Sequence, residues 1–571
     1  MAGSSSSSTT TLFTNGKIFL SGVEPGTNPF PNQPPTFAES LLIRDSTIAF
    51  VGASDSPAVK DALALAAAGT EVAVVDLAGK TILPGFIDGH MHLMLLGQSL
   101  QKLDLGHCKD LADIQATISA HAAANPHLPR ILCRGWMHSM TPGGVTARDL
   151  DGVDPLGRAV LVDTKDLHST WANTAAVAAL GADAWPDVVG GVIQRDADGR
   201  ADGLFSEAAN ITYVWPYLTA TASLADRAAA VRAAVRAYHA EGYTGMIDMA
   251  MDEGGWEALL HAATAEESPL PMRVAAYWLI KPMETDAETL VQVDRAAELA
   301  AQYNAQTSPD CRIVGIKVIC DGIIDACTAG LTEPYLSGVG AANDSSDLLH
   351  PAPLWPADRL APVVRRATEL GLQIALHAIG DATISMVADI LGAHASPARR
   401  PRMEHIELPS RHDAARLGAL GITASVQPVH ADPAILRAWP RLLGEARCAR
   451  AFPYREFADG GAPLALGSDS PTAPHAPLGN VYVGTTRRSY REPALGTAVN
   501  AHFALGLCEA VAAATEGAAY SCFDEGRTGR LVEGLKADFV VVDMQWEKTR
   551  LLEARIEQTW FDGKKVWDCE G

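Results

Sequence analysis

The chain has 571 residues, of which 48% are hydrophobic and 20% charged, and its formal net charge is −22 at pH 7. This balance is typical of a globular protein with a large core. An acidic surface repels phosphate groups, so nucleic acids and anionic membrane surfaces are excluded as expected partners. Nine scattered cysteines without a CxxC pair favour free thiols. The sequence shows neither a secretory signal nor a run of about 18 apolar residues, so we expect a cytoplasmic protein. Whether the chain forms a homodimer stays open.

The chain begins with a Ser/Thr-rich leader, residues 1–10, whose composition predicts disorder. Short strands follow. The Asn-Gly pair at 15–16 lies between apolar runs and predicts a hairpin, and the Asp-Ser pair at 45–46 predicts a second one. Near the other end, the Asp-Gly pair at 562–563 predicts a third hairpin.

The middle of the chain alternates apolar strands with Ala-, Leu- and Arg-rich helical patterns. Such units predict an α/β fold with a parallel sheet, and their number favours a (β/α)8 TIM-like barrel, although alternation alone also fits a doubly wound sheet. We place the barrel at 85–524. An insertion at about 99–220, where the alternation is poor, is expected to cover its mouth. The hairpin-rich ends, 11–84 and 525–571, are expected to form one small composite β-sandwich domain.

The segment FIDGHMHL carries His90 and His92. Residues two apart on a strand point to the same face. Two neutral imidazoles on one rigid support suit a divalent metal ion. An HxH pair alone is also found among ordinary core or surface histidines, so the preceding PGFID strand is what favours a metal site here.

Lys317 lies inside the apolar strand VGIKVICDG. A buried ammonium group costs several kcal/mol unless it is neutralised. One solution is carboxylation of the lysine, which gives an anion that can bridge two metal ions. The other is a salt bridge to a carboxylate of the barrel, and the residues by themselves leave both open.

Three further candidates lie near the ends of later apolar runs: His377 in IALHAIGDA, His405 in RMEHIEL and Asp469 in ALGSDSP. Barrel active sites are built at the carboxyl ends of the strands. A carboxylate there can hold a metal ion or accept a proton from water. Asp469 could instead cap a turn or helix, because SDSP is a good capping sequence, but the companion ligands favour the catalytic interpretation.

The segments GFIDGHMH, IKVICDG, LHAIGDA, MEHIEL, VQPVH and LGSDSP follow one another in this order. In this order they resemble the amidohydrolase superfamily, and more narrowly its amidohydrolase-3 branch, which includes N-substituted formamide deformylases. Further similar segments, RGWMHS, DLHSTWANTAA, TAGLTEPY and GRLVEGLKADFVVVD, extend the resemblance over nearly the whole chain after the leader.

The resemblance implies a role for each matching position. The implied metal ligands are His90, His92 and Asp469 for one ion, and His377 and His405 for a second, with Lys317 as a bridging carbamate. Asp469 would also be the general base, and His377 would take part in catalysis. The positions that would contact substrate are Trp136, His168, Gln427 and His430. Asp381 would orient His377 from behind.

The activity implied by the resemblance is hydrolysis of a non-peptide C–N bond in a small molecule: an amide, an N-formyl or N-acyl amine, or a cyclic amide. One or two divalent ions per subunit, with zinc favoured, would activate the water. A lyase, decarboxylase or lactone hydrolase on the same scaffold is the alternative, and a non-catalytic regulatory protein is a further one. The chain departs from the family pattern at 323–325, where Ile-Ile-Asp replaces small residues, and at His475; both departures bear on the substrate pocket.

Overall fold

The fold follows from a computed structural model that describes residues 9–24, 26–29, 33–69, 72–165, 169–188, 191–207, 209–264, 270–336 and 351–570. Within these ranges, none of the helices combines the length and the hydropathy needed for a bilayer span. The chain divides into two compact units. The first comprises Met1–His92, Val235–Asp252 and Ser268–Gly571, and the second comprises Leu93–Ala234 and Glu253–Glu267.

The strands are, in chain order, β1 Thr10–Thr14, β2 Lys17–Leu20, β3 Thr36–Ala38, β4 Ser40–Arg44, β5 Thr47–Gly52, β6 Val72–Asp76, β7 Thr81–Pro84, β8 Phe86–Met91, β9 Leu103–Asp104, β10 Ile131–Trp136, β11 Val160–Thr164, β12 Ser169–Ala172, β13 Gly191–Arg195, β14 Ala201–Glu207, β15 Tyr243–Met251, β16 Arg273–Leu279, β17 Cys311–Ile319, β18 Gln373–Ala378, β19 Arg402–His405, β20 Thr423–Val426, β21 Leu464–Leu466, β22 Phe539–Asp543, β23 Arg555–Phe561 and β24 Lys564–Asp568.

The α-helices of the described ranges are Pro57–Ala67, Leu93–Leu100, Leu111–Ala124, Thr174–Leu180, Trp215–Thr221, Leu224–Ala240, Glu253–Ala263, Asp286–Gln302, Ala357–Glu369, Asp381–His394, Arg411–Arg416, Trp439–Leu443, Glu445–Cys448, Tyr454–Asp459, Pro477–Thr486, Leu507–Ala513 and Glu516–Ser521.

Eight strands of the first unit form one sheet in the order β21-β20-β19-β18-β17-β16-β15-β8. Every pair of neighbours is parallel. A parallel bridge between Met91 and Ser470 joins the two edge strands and nearly closes the sheet. The predicted (β/α)8 barrel is thus confirmed as a nearly closed eight-stranded parallel barrel, and the doubly wound alternative is excluded.

The closure depends on two glycines that let the first and last strands approach each other. A Cβ atom at Gly467 would lie 2.4 Å from the backbone nitrogen of His90, and one at Gly89 would lie 2.6 Å from the carbonyl oxygen of Leu466. Only a residue without a side chain fits such an approach. The HxH strand and the last strand are therefore in direct backbone contact.

Strands from both chain ends pair with each other. The sheet β24-β23-β22-β7-β2-β3 takes three strands from each end, and a second sheet has the order β5-β4-β1-β6. Buried side chains of both sheets belong to one apolar cluster that includes Phe13, Ile43, Ile82 and Phe539. This cluster supports the composite β-sandwich, which stays a prediction.

Two of the three predicted hairpins are confirmed. β4 pairs with β5 around the turn at 45–46, and β23 pairs with β24 around the turn at 562–563. The hairpin predicted at 15–16 is wrong. The turn exists, with Asn15 at φ 55°, but β1 pairs with β4 and β6 whereas β2 pairs with β3 and β7. The two strands leave the turn into different sheets, which a local turn signal does not specify.

The second unit has its own sheet, β13-β14-β12-β11-β10-β9. β9, β10 and β11 are parallel, and the remaining pairs are antiparallel. The sequence placed an insertion at about 99–220, and this unit begins earlier, at Leu93. That it covers the barrel mouth stays a prediction.

Candidate metal centre

The six predicted metal ligands lie at the carboxyl ends of barrel strands. Because neighbouring strands are parallel, these ends meet at one end of the barrel. His90 is in β8, Lys317 in β17, His377 in β18 and His405 at the end of β19, while His92 and Asp469 directly follow β8 and β21. His92 is partly exposed, and the other five are buried.

Backbone hydrogen bonds across the closure bring Asp469 to the HxH pair. The amide of Asp469 donates to the carbonyl of His90 at 2.7 Å, and the amide of His92 donates to the carbonyl of Ser470 at 2.9 Å. The Asp469 carboxylate then has Oδ1 3.0 Å from Nε2 of His92 and 3.4 Å from Nε2 of His90. Its Oδ2 lies 3.6 Å from Nε2 of His430.

Two of the predicted ligands, His405 and Asp469, have a left-handed backbone, and so does Ile406, which follows His405. φ is 74° at His405, 51° at Ile406 and 58° at Asp469. For residues with a Cβ atom this region costs roughly 1–2 kcal/mol each, and a β-branched residue such as Ile406 is unusual there. Strain of this kind is typical of functional sites that the surrounding fold holds in place.

The residues fit a divalent cation. Two ligands about 2.1 Å from a tetrahedral zinc ion lie about 3.4 Å apart, close to the 3.0 Å and 3.4 Å that separate Asp469 Oδ1 from the two imidazole nitrogens. One ligand atom from each of His90, His92 and Asp469 lies within 4.8 Å of the other two. Nδ1 of His405 is buried and lacks a hydrogen-bond partner within the described ranges, as expected of a ligand atom.

The protonation states suit metal binding. Burial lowers the pKa of His90 to about 4 and that of His377 to about 3, and it holds the pKa of His405 well below its ordinary value. Burial would raise the pKa of the Asp469 carboxyl, but the hydrogen bond from His92 and the nearby imidazoles keep it well below its usual range. Near neutral pH the imidazoles of His90, His377 and His405 are therefore neutral and the carboxylate of Asp469 is ionised.

A buried charged pair that the sequence analysis missed lies behind His90. Nδ1 of His90 is 2.8 Å from Oε2 of Glu404, and Nε of Arg402 donates to Oε1 of Glu404 at 2.8 Å. Nη2 of Arg402 also donates to the carbonyl of Gly89 at 2.6 Å. With Nδ1 engaged by Glu404, His90 presents Nε2 to Asp469. The sequence signal was available: two charges two residues apart in a buried strand must share a face.

A second missed carboxylate, Asp88, ties the first strand to the last. Asp88 accepts hydrogen bonds from the amide of His90 at 3.2 Å and from the amide and hydroxyl of Ser468 at 2.8 Å and 2.6 Å. The hydroxyl of Tyr238 also donates to it, at 2.8 Å. His475, which the sequence did not place, stacks on Tyr238 with ring centroids 5.1 Å apart.

The carboxylate that approaches His377 is Asp321, whereas the sequence predicted Asp381. Oδ1 of Asp321 lies 3.4 Å from Nε2 of His377, and the same carboxylate accepts three backbone N–H groups. Asp381 instead accepts hydrogen bonds from the amide and hydroxyl of Thr332. Asp381 is the first residue of the helix Asp381–His394, and its carboxylate binds Thr332, which lies beside that end of the helix.

The predicted substrate contacts stay predictions, and the structure describes three of them. His430 lies beside Asp469, and the amide group of Gln427 is buried with neither atom hydrogen-bonded within the described ranges. Trp136 has no exposed surface and donates its indole N–H to Thr141 at 3.1 Å inside the second unit. His168 lies outside the described residues.

Comparison with known proteins identifies relatives along nearly the full length. YtcJ of Bacillus subtilis (strain 168) is 27% identical over 513 residues, which cover 87% of this chain and 91% of YtcJ. An N-substituted formamide deformylase of Arthrobacter pascens is 24% identical and covers 94% of this chain and 96% of its own. An uncharacterized metal-dependent hydrolase from Pyrococcus horikoshii, solved as a crystal structure, has a TM-score of 0.74 at 22% identity, covering 94% of this chain and 98% of that one, and so shares the fold.

The sequence model of the amidohydrolase family matches residues 73–567 of this chain. The matched region contains all eight barrel strands and the six predicted metal ligands. It also includes strands of the six-stranded sheet from both chain ends. The chain therefore belongs to the amidohydrolase family, a family of hydrolases, in its amidohydrolase-3 branch.

Proposed function

We propose that the protein is a metal-dependent hydrolase that cleaves a non-peptide C–N bond of a small molecule: an amide, an N-formyl or N-acyl amine, or a cyclic amide. The observation that carries this proposal is the convergence of His90, His92 and Asp469 at the closure of the barrel, beside the unpaired Nδ1 of His405. Imidazole and carboxylate donors at this spacing favour zinc.

One ion would be held by His90, His92 and Asp469, and the resemblance assigns a second to His377, His405 and Lys317. When bound, such an ion lowers the pKa of a water molecule to about 7 and polarises a carbonyl group. Asp469, whose ionised carboxylate lies beside the imidazoles of His90 and His92, would accept the proton of the attacking water and pass it to the leaving nitrogen. The buried amide of Gln427, which lacks a partner within the described ranges, can bind polar groups of the substrate.

Lys317 is proposed to carry a carbamate. Its side chain is buried, and burial lowers the pKa of its ammonium group against the opposing charges of Glu404 and Asp469. The neutral amine can attack the carbon of CO2, forming an N–C bond and releasing one proton. Lys317→Ala should then lose activity that added short carboxylates restore. Unchanged metal content and activity in Lys317→Ala would refute the carbamate.

The C–N bond is proposed from the family and from the name of the Arthrobacter relative, an N-substituted formamide deformylase. The test is a screen of amides, formamides, hydantoins and lactones with protein of measured metal content. We expect turnover of a C–N substrate by zinc-loaded protein. Asp469→Asn should lower kcat by about 100- to 10,000-fold, while Asp459→Asn, at an exposed carboxylate, should not. Turnover confined to lactones would replace the C–N assignment, and a metal-free active protein would overturn the proposal.

A further inference from the structure

A second set of candidate cation ligands lies at the ends of the last three strands of the barrel. We propose that His430, together with His405 and Asp469, forms a site for a second divalent cation. The inference rests on the proposed function and assigns His430, a predicted substrate contact, to the metal centre. In this arrangement Asp469 serves two ions, with Oδ1 facing the HxH pair and Oδ2 facing His430.

The three residues come from consecutive strands. His405 ends β19, His430 lies in the turn Pro428–Ala431 that follows β20, and Asp469 follows β21. One ligand atom from each lies within 4.8 Å of the other two. The imidazole rings of His405 and His430 are nearly parallel, at 7° with centroids 5.8 Å apart.

The distances are those of ligands rather than of hydrogen-bond partners. Nε2 of His430 lies 3.6 Å from Oδ2 of Asp469, which is too long for a hydrogen bond and close to the roughly 3.4 Å between two ligands of a tetrahedral ion. Independently, Nδ1 of His405 is buried without a hydrogen-bond partner within the described ranges, although buried imidazoles are normally paired. A cation bound here would be a partner for Nδ1 of His405, for Nε2 of His430 and for Oδ2 of Asp469.

The structure holds the His430 ring from behind. Nδ1 of His430 lies 3.1 Å from Oε1 of Glu407, a carboxylate that is also buried. When Nδ1 donates to Glu407, the lone pair of Nε2 faces Asp469. A carboxylate behind the distal nitrogen is the usual support of a metal-binding histidine.

Hydrogen bonds of Asn480 connect the turn that carries His430 to the segment after β21 that carries Asp469. Oδ1 of Asn480 accepts a hydrogen bond from the amide of Val429 at 2.9 Å, and Nδ2 of Asn480 donates to the carbonyl of Gly467 at 2.8 Å. One buried side chain therefore sets the spacing between His430 and Asp469. A site on such rigid supports is preorganised for its ligand.

This assignment competes with the one that the resemblance implies. Both sets share His405, but one adds His377 and Lys317 and the other adds His430 and Asp469. His377 Nε2 faces Asp321 and the carbonyl of Gly322, each at 3.4 Å. Variants of His377 and His430 therefore distinguish the two sets.

The test is a cobalt(II) titration of the chelator-treated full-length protein, followed by equilibrium dialysis and by the visible absorption of bound cobalt. We expect His430→Gln to bind one cobalt ion fewer per chain than wild type, or to bind its ion at least tenfold more weakly, with a changed spectrum. Glu407→Gln, whose amide oxygen can still accept from Nδ1, should keep the stoichiometry and bind about 10- to 100-fold more weakly. His412→Gln, at a histidine whose side chain is 79% exposed, is the matched control, and circular dichroism checks folding.

The inference is overturned if His430→Gln and Glu407→Gln both titrate like His412→Gln, or if His377→Gln loses the second ion while His430→Gln keeps it. In either case the His90–His92–Asp469 ion remains, so the proposed function stands. A wild-type protein that binds no cobalt would overturn the inference and the proposed function together.

Discussion

Arg402 and Glu404 lie two residues apart on β19 and face the interior of the barrel, where neither side chain has exposed surface. Burial would raise the pKa of Glu404, but Arg402 and the hydrogen bond with His90 hold it well below its ordinary range, so the carboxylate stays charged. A buried pair of this kind stabilises little by itself, and breaking it is costly because one charge is left alone. Here the pair orients the imidazole of His90.

Glu404→Gln should therefore lower both stability and metal affinity. We expect a loss of about 3–5 kcal/mol in the free energy of unfolding, because Arg402 is left as an unpaired buried charge, and metal binding about 10- to 100-fold weaker. The double variant Arg402→Met/Glu404→Gln should recover much of the stability but not the affinity. Urea unfolding and chelator competition measure the two effects; wild-type metal affinity in Glu404→Gln would contradict the positioning role.

Glu516 offers a prediction about pH. Burial raises the pKa of its carboxyl to about 7 against a hydrogen bond from Ser21, so the folded state binds a proton more tightly than the unfolded chain. Stability should then fall as the pH rises from about 4.5 to about 7, by up to about 3 kcal/mol. Glu516→Gln removes this penalty, so its Tm relative to wild type should rise between pH 5 and pH 8. Glu369→Gln, at an exposed carboxylate, is the control, and a Tm difference that is independent of pH would refute the interpretation.

At the scale of elements, the site depends on the contact between β8 and the end of β21. The amides and carbonyls of His90, His92, Asp469 and Ser470 make the hydrogen bonds of that contact. The same residues therefore have two roles: their backbone closes the barrel, and their side chains form the proposed cation site. At this contact the backbone of Asp469 is left-handed, and its carboxylate faces the imidazoles of His90 and His92.

Gly467→Ala tests this coupling. The added methyl group would lie 2.4 Å from the nitrogen of His90, so the strands must separate, at a cost of about 1–3 kcal/mol or more. The proposed metal ligands would then move apart. We expect a lower Tm and reduced zinc content. Gly496→Ala adds the same methyl group where no atom lies within 4 Å and should change neither; equal behaviour of the two variants would contradict the account.

At the scale of the first unit, the strands from the chain ends are tied to the barrel by a charged cluster. Arg273, at the start of β16, donates from Nε to Asp538 at 2.9 Å and from Nη2 to Asp562 at 2.5 Å. Asp538 also accepts from the hydroxyl of Thr528 at 3.0 Å. The C-terminal strands therefore stabilise the barrel as well as their own sheet.

Asp538→Ala should destabilise the protein by about 3 kcal/mol, because several buried donors lose their acceptor and Arg273 keeps only its partly exposed partners. Asp543→Ala, at an exposed position on β22, should have little effect. Thermal unfolding of both variants measures the difference. Equal Tm values would show that the cluster contributes no net stability.

The strand-end motifs were readable from the sequence because each proposed ligand lies near the end of an apolar run, and parallel strands bring such ends together. His90, His92, His377, His405 and Asp469 could all be located in this way. The partner of His377 could not, because the backbone N–H groups that surround Asp321 belong to segments distant in the chain. The sequence also did not show that β1 and β2 belong to different sheets. A turn signal predicts that the chain reverses its direction, but it does not specify which strand each strand pairs with.

By itself, then, the sequence determined the family, the barrel and the residue types of the proposed ligands, because strand periodicity and residue chemistry are local properties. Only the tertiary structure decided which atoms face one another. The closure of β8 on β21, with the left-handed backbone at Asp469, sets the distances to His90, His92 and His430. Those distances depend on the packing of strands hundreds of residues apart, which no local pattern encodes.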